Sequence, residues 1–173
     1  MAAQGFARSV GNLVHPVPQA SMFRGQSTIS VDPKGRLAVP TRFRDALASL
    51  PSQDLVLTLN PWDRALWVYP AAEWLVIEGK LAALSDFDRQ SRRTKQIMRG
   101  YATDCSCDAQ GRVLLPVELR EIAHITKQVT VLGQGNKFEI WDMASWQAER
   151  DQWLRDVADG ADTSSAALES LSL

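Results

Sequence analysis

Asp32-Pro33-Lys34-Gly35-Arg36 returns 76 residues later as Asp108-Ala109-Gln110-Gly111-Arg112. The same offset pairs Pro40 with Pro116 and Arg44 with Arg120. Upstream, Phe23-Arg24-Gly25 matches Met98-Arg99-Gly100 with a one-residue slip. Downstream, Leu57, Leu59, Leu66, Val68 and Trp74 match Val129, Val131, Phe138, Ile140 and Trp146 at an offset of 72, so four residues are lost from the loop around Ser52. Landmarks shared in this order mark an internal duplication, and a repeat sets how the rest of the chain is parsed.

Each copy has the same parts. Ile29 and Val31 alternate with Thr28 and Ser30, the period of a half-buried strand. The turn that follows has its own chemistry: Asp32 can cap it, Pro33 presets φ, and Gly35 tolerates positive φ. Leu37 and Val39 resume the alternation, and Pro40 ends the strand and suits the first turn of a helix carrying Phe43, Leu47 and Leu50. In the second copy that helix carries Leu119 and Ala123.

A second hairpin comes next. Leu55, Leu57 and Leu59 alternate, Asn60-Pro61-Trp62-Asp63 turns, and Leu66 and Val68 return. The second copy uses Val129 and Val131, a turn through Gly133-Gln134-Gly135-Asn136, then Phe138 and Ile140. The closing helices carry apolar stripes at three-and-four spacing. These are Trp74, Ile77, Leu81 and Leu84 in one copy, and Met143, Trp146, Trp153 and Val157, with Arg150 in line between the two Trp, in the other. The expected order is strand, strand, short helix, strand, strand, longer helix, twice. A unit of about 60 residues buries little apolar surface alone, so the copies are expected to share one body about a pseudo-two-fold axis. The Trp-bearing stripes need cover from the chain or from a neighbouring subunit.

The segmentation is then a flexible extension over 1–21, a first repeat with a connecting basic helix over 22–97, a second repeat over 98–157 and an acidic tail over 158–173. Residues 1–21 have no helical or strand period and contain Pro16 and Pro18. Two readings stand for them: a flexible extension, or a start-site error with Met22 as the first residue. A single base and no long apolar run argue against a secretory signal.

The chain has 173 residues, 45% of them hydrophobic and 23% charged, which excludes wholesale disorder and a fibrous class. No run approaches the ~18 apolar residues of a membrane span. Cys105 and Cys107, the only cysteines, are too few for a disulfide scaffold, so a reduced, cytoplasmic protein is expected. Net charge is -1, yet its distribution is uneven. Residues 22–44 net +4, residues 89–99 hold five bases and no acid, and residues 142–173 net -5. Such asymmetry hints at a polyanion partner for one face.

The run MFRGQSTISVDPKGRLAVPTRFRD, the later DAQGRVLLPVELRE and GQGNKFEIWD together resemble the MraZ family, from Met22 to Leu173. The resemblance implies an α+β fold of two AbrB-like, swapped-hairpin units forming a pseudo-two-fold β-barrel with flanking helices. It implies a nucleoid-associated DNA-binding regulator of the division and cell wall gene cluster, including its own promoter. It also implies chains assembled into rings. The extension over 1–21 and Pro33 in the first turn depart from the family pattern.

Lys34 and Arg36 are the first candidates for double-stranded DNA contact. A turn tip with two bases can approach a groove, Lys34 neutralising phosphate and Arg36 reaching bases or phosphate. A β-ribbon fits the major groove. The bland reading is that Arg36 pairs with Asp32 and closes its own turn. Gln110 replaces Lys34 in the second copy, and residues 98–120 net zero, so the first copy is expected to dominate. Arg112 is a secondary candidate. Arg24, Arg42 and Arg44 are supporting phosphate contacts by proximity, with a structural brace as the other reading of Arg44 and Arg120. One tip binds weakly at physiological salt, so a ring gripping repeated short boxes about 10 base pairs apart is the expected solution.

Other features read as structural. Cys105 and Cys107 align with Ile29 and Val31 on an inward strand face, which favours core packing over metal. Trp74, Trp146 and Trp153 lie on helix stripes, and Trp62 is placed in an exposed turn. The basic run Arg89 to Lys95 is expected on a helix begun at Ser85 or Asp86, its default a solvated face. No phosphate loop, zinc-protease or nucleophile-elbow motif occurs, so no enzyme, cofactor, metal or small-molecule substrate is expected. The competing reading is a non-catalytic protein-interaction scaffold using the Trp helices and the acidic end.

Overall fold

Apolar alternation and turn residues place the strands where the repeat puts them. The computed structural model describes residues 23–160. The expected 1–21 extension, and the tail beyond Gly160, lie outside the described residues. The first repeat builds β1 (Phe23–Ser30), β2 (Arg36–Ala38), α1 (Thr41–Ala48), β3 (Asp54–Leu59), β4 (Ala65–Pro70) and α2 (Ala71–Ala83). A connecting helix, α3 (Arg89–Gly100), leads into the second. That repeat builds β5 (Thr103–Ser106), β6 (Arg112–Leu114), α4 (Val117–Ile122), β7 (Gln128–Gly135), β8 (Phe138–Asp142) and α5 (Met143–Ala158).

The repeats exchange strands. β1 pairs antiparallel with β7 along its whole length, from Phe23 opposite Gly135 to Ser30 opposite Gln128. β5 pairs with β3, Asp54 opposite Ser106. The resulting six-stranded order is β1-β7-β8-β4-β3-β5, and β2 pairs with β6 in a separate ribbon. Swapping equivalent strands between repeats turns that order into its own reverse, the signature of a pseudo-two-fold axis. The axis passes through Leu37 opposite Val113 in the ribbon and Trp67 opposite Glu139 in the sheet.

The hydrogen-bond ladder does not close into a barrel. β1 and β5 are the outer strands of the sheet, and β2 and β6 join the strands before their turns through single backbone bonds (Asp32 N to Arg36 O, Asp108 N to Arg112 O) and the isolated Val31–Leu37 bridge. Sheet and ribbon instead clasp one core drawn from both repeats. Leu37, Val39, Val113 and Leu115 from the ribbon side meet Leu57, Leu66, Val131 and Ile140 from the sheet. Phe23, Phe43 and Phe138 sit at its centre with ring centroids 5.3–5.4 Å apart.

Four details depart from the expected pattern. β3 and β4 are buried on both faces, because α2 and α3 lay Trp74, Leu81 and Met98 over Val56, Trp67 and Tyr69 on the side away from the main core. α3 starts at Arg89, with the Asp88 carboxylate accepting from the Ser91 N–H at 2.7 Å, later than the expected start at Ser85 or Asp86. Met98-Arg99-Gly100 are the end of that helix and not a copy of the strand start Phe23-Arg24-Gly25; Thr58 Oγ1 donates to the Met98 carbonyl at 2.7 Å and Met98 is buried. The second turn falls at Gly135-Asn136, because β7 runs on to accompany β1. There Gln134 N donates to Lys137 O at 2.9 Å and Gly135 takes φ +77°.

Candidate nucleic-acid interface

Each Asp-x-x-Gly-Arg turn is closed by one carboxylate. Asp32 Oδ1 accepts from the backbone N–H of Lys34 and of Arg36, both at 2.9 Å. Asp32 Oδ2 accepts from Arg36 Nε at 2.7 Å. Asp108 repeats this with Gln110 N, Arg112 N and Arg112 Nε at 2.9, 2.9 and 2.8 Å. The Arg36 backbone N–H, with its guanidinium, holds the Asp32 carboxyl below the usual range, and Arg112 does the same for Asp108. Gly35 and Gly111 take φ +81° and +72°, which no β-carbon-bearing residue adopts without strain. So each arginine does pair with its own turn aspartate, through Nε.

The ribbon sets where the two turns lie. Arg36 is opposite Leu114 and Ala38 opposite Arg112. Leu37 and Val113 point into the core, so Arg36, Ala38, Arg112 and Leu114 share the outward face. Diagonal neighbours in such a ladder stand about 7–8 Å apart, which puts both arginines on one small patch. Leu114 lies between them, 56% exposed. Lys34 is exposed at the tip of the first turn.

The turns also lean on each other's repeat. Leu115 N donates to Gly35 O at 2.9 Å, and Val39 N donates to Gly111 O at 3.0 Å. Arg120 Nε donates to the Leu115 carbonyl at 3.0 Å, and its guanidinium lies against Gly35, where a β-carbon would come within 2.9 Å of it. Arg44 lies against Gly111 with more of its stem, a β-carbon placed there coming within 2.4 Å of Cδ and 2.8 Å of Nη1, and its Nη2 donates to Thr41 Oγ1 at 3.0 Å. Arg42 Nη2 donates to the Gln26 carbonyl at 2.7 Å and to Ser27 Oγ at 3.0 Å, holding the outer edge of β1. Arg24 is exposed on β1. The structure thus gathers Lys34, Arg36 and Arg112 on or beside the ribbon and engages Arg42 and Arg44 with protein groups. The equivalence of Arg44 and Arg120 was readable from the repeat; that each serves the other repeat's turn was not.

Cys105 and Cys107 pack against the main core, and burial pushes the Cys105 thiol up to about 12. Among the described residues no His, Cys, Asp and Glu side chains group to hold a metal ion. Nor is any helix there long and apolar enough to cross a membrane.

The family model described as "MraZ protein, putative antitoxin-like" matches residues 22–97 and again 98–162. The chain belongs to the MraZ family. It is 46% identical over 152 residues to a protein of Thioalkalivibrio sulfidiphilus named transcriptional regulator MraZ, covering 88% of this chain and all of that relative. Relatives of the same name from Legionella pneumophila strain Corby and Marinomonas sp. are 43% and 46% identical, covering 88% and 77% of this chain. The match spans all of the Legionella protein and 88% of the Marinomonas one. The two family matches cover both turns, so the duplication and the family describe the same residues.

Proposed function

We propose that the chain is a sequence-specific, non-catalytic DNA-binding transcriptional regulator of the division and cell wall gene cluster, its own promoter included. The observation that carries this reading is the outward face of the ribbon. Two part-buried arginines, each oriented by an aspartate, share one outward patch with an exposed lysine at the adjoining tip. A two-stranded ribbon matches the major groove in width. An Arg–Asp pair fixes the guanidinium plane through Nε and leaves the Nη donors outside that pair, the fork that recognises guanine or phosphate. Lys34 meets phosphate. Arg112 contributes less, and Arg24, Arg42 and Arg44 add flanking positive charge. The exchange of strands between repeats supports placing the fold in the AbrB-like swapped-hairpin group.

A single patch makes few phosphate contacts, so high affinity comes from several chains in a ring gripping repeated short boxes. The outer half of α5 supports an assembly: Trp153, Leu154 and Val157 are 44, 63 and 62% exposed. Such a regulator works in the cytoplasm, at the nucleoid. A gel shift with the chain's own upstream DNA tests the reading. Arg36→Ala is expected to abolish the shift with circular dichroism and oligomer size unchanged. A single isolated box bound as tightly as an array would remove the ring from the account. No shift with any promoter DNA would favour the scaffold reading, for which the same α5 stripe would be the working surface.

A further inference from the structure

We infer that Arg120 is a positioning residue for the first turn, acting across the repeat boundary, and that Arg44 is its counterpart for the second. The inference rests on the DNA-binding reading for its functional part and on geometry alone for its structural part. Its consequence is unexpected from charge: the residue that readies the basic tip of the first repeat belongs to the stretch 98–120 of the second, which nets zero.

Three contacts form a closed loop around Gly35. Leu115 N donates to the Gly35 carbonyl at 2.9 Å. The Leu115 carbonyl accepts from Arg120 Nε at 3.0 Å. The Arg120 guanidinium returns to lie flat against Gly35, in space that a methyl group would need. Gly35 stands between Lys34 and Arg36, and its positive φ sets the angle between them. A planar guanidinium against a glycine face restricts that peptide at its backbone. The mirror contact of Arg44 on Gly111 lacks the backbone carbonyl; Arg44 bonds to Thr41, in its own helix. The better-anchored brace therefore serves the turn that carries Lys34, and the other serves the turn that carries Gln110.

Preorganisation of two long side chains at an interface is worth about tenfold in affinity. Arg120→Ala is therefore expected to weaken binding of a labelled duplex from the chain's own upstream region about tenfold. Because Arg120 neutralises no phosphate, the slope of log K against log salt should stay as in the wild type. Lys34→Ala should lower that slope by about 0.9 for each engaged tip. Arg44→Ala should weaken binding less than Arg120→Ala does. Arg120→Lys keeps the charge but loses the flat fork and the Nε–H, so it should not rescue. It also carries the test if the alanine variant does not fold.

A readout without DNA separates the two layers. Amide exchange at Lys34 and Gly35 should rise in Arg120→Ala and stay unchanged in Arg44→Ala, with the reverse at Gln110 and Gly111. A salt slope that falls as in Lys34→Ala, or rescue by lysine, would make Arg120 a phosphate contact and overturn the inference. So would unchanged exchange at Lys34 and Gly35. If the amides respond as expected and the wild-type chain binds no DNA, the brace stands and the DNA-binding reading fails.

Discussion

Gln110 Oε1 accepts a hydrogen bond from Arg112 Nη2 at 3.0 Å, and the equivalent position in the first repeat is Lys34, which can accept none. One substitution thus separates the two turns twice over. It removes a charge from the second tip, and it ties down a donor that the first tip leaves to its guanidinium. Gln110→Lys is expected to strengthen DNA binding and to steepen its salt dependence by about 0.9 per engaged tip. Lys34→Gln should do the opposite. Fluorescence anisotropy across a salt series reads both.

The turn carboxylates make stability depend on acid. Asp32 and Asp108 both titrate below their ordinary value of 3.8, chiefly because the backbone N–H of Arg36 and Arg112 donates to the ionised form. A carboxyl lowered in the folded state contributes fully above its unfolded value and loses that contribution as pH falls through the folded one. Wild-type melting temperature should therefore drop below about pH 4, with the double variant Asp32→Asn, Asp108→Asn melting lower at pH 7 and showing a shallower acid limb. The change should be small, since both pairs are solvent-screened. Thermal melts between neutral and acid pH check it.

Phe138 touches both Phe23 and Phe43 and is buried, so its ring joins strands from both repeats to α1. Phe138→Ala should cost about 3–5 kcal/mol. Urea denaturation should show a single transition shifted to lower concentration, since one core serves both repeats. Two separate transitions would contradict a shared core.

α5 climbs away from the sheet on a ladder of indoles, Trp141 to Trp146 to Trp153, with centroids 5.6 Å apart at each step. Its far half is where the apolar stripe has no cover within the described chain. If that stripe is the contact between chains, Leu154→Asp with Val157→Asp should reduce the mass seen by light scattering. The same variant should lose the preference for repeated boxes and keep its secondary structure.

Much of the fold was legible because the duplication repeats turn chemistry, which is local. Asp and Gly at fixed offsets set both tight turns, and alternation around Leu37 and Val113 set the ribbon. What was not legible depends on distant partners. The double burial of β3 and β4 arises from helices α2 and α3; Val56, between Leu55 and Leu57, marks a second apolar face but does not say which helices cover it. The likeness of Met98-Arg99-Gly100 to a strand start was overridden by helix α3 and its buried Met98. The site divides in the same way. Lys34 at an exposed tip and the Arg36–Asp32 pair follow from spacing alone. Arg42 on the edge of β1 and Arg120 on Gly35 need the three-dimensional crossing of the repeats.

Strand exchange also orders events at the ribosome. β1 is among the first segments to emerge, yet every one of its ladder partners lies between Gln128 and Gly135. β1 must therefore wait, its eight-residue edge unpaired, until β7 has been made, while β3 and β4 can already pair with each other. Contacts of such wide sequence separation slow folding and leave a sticky intermediate in the interval. Neither repeat is expected to fold when produced alone, whereas the two produced together as separate polypeptides have every strand needed to assemble around the same dyad.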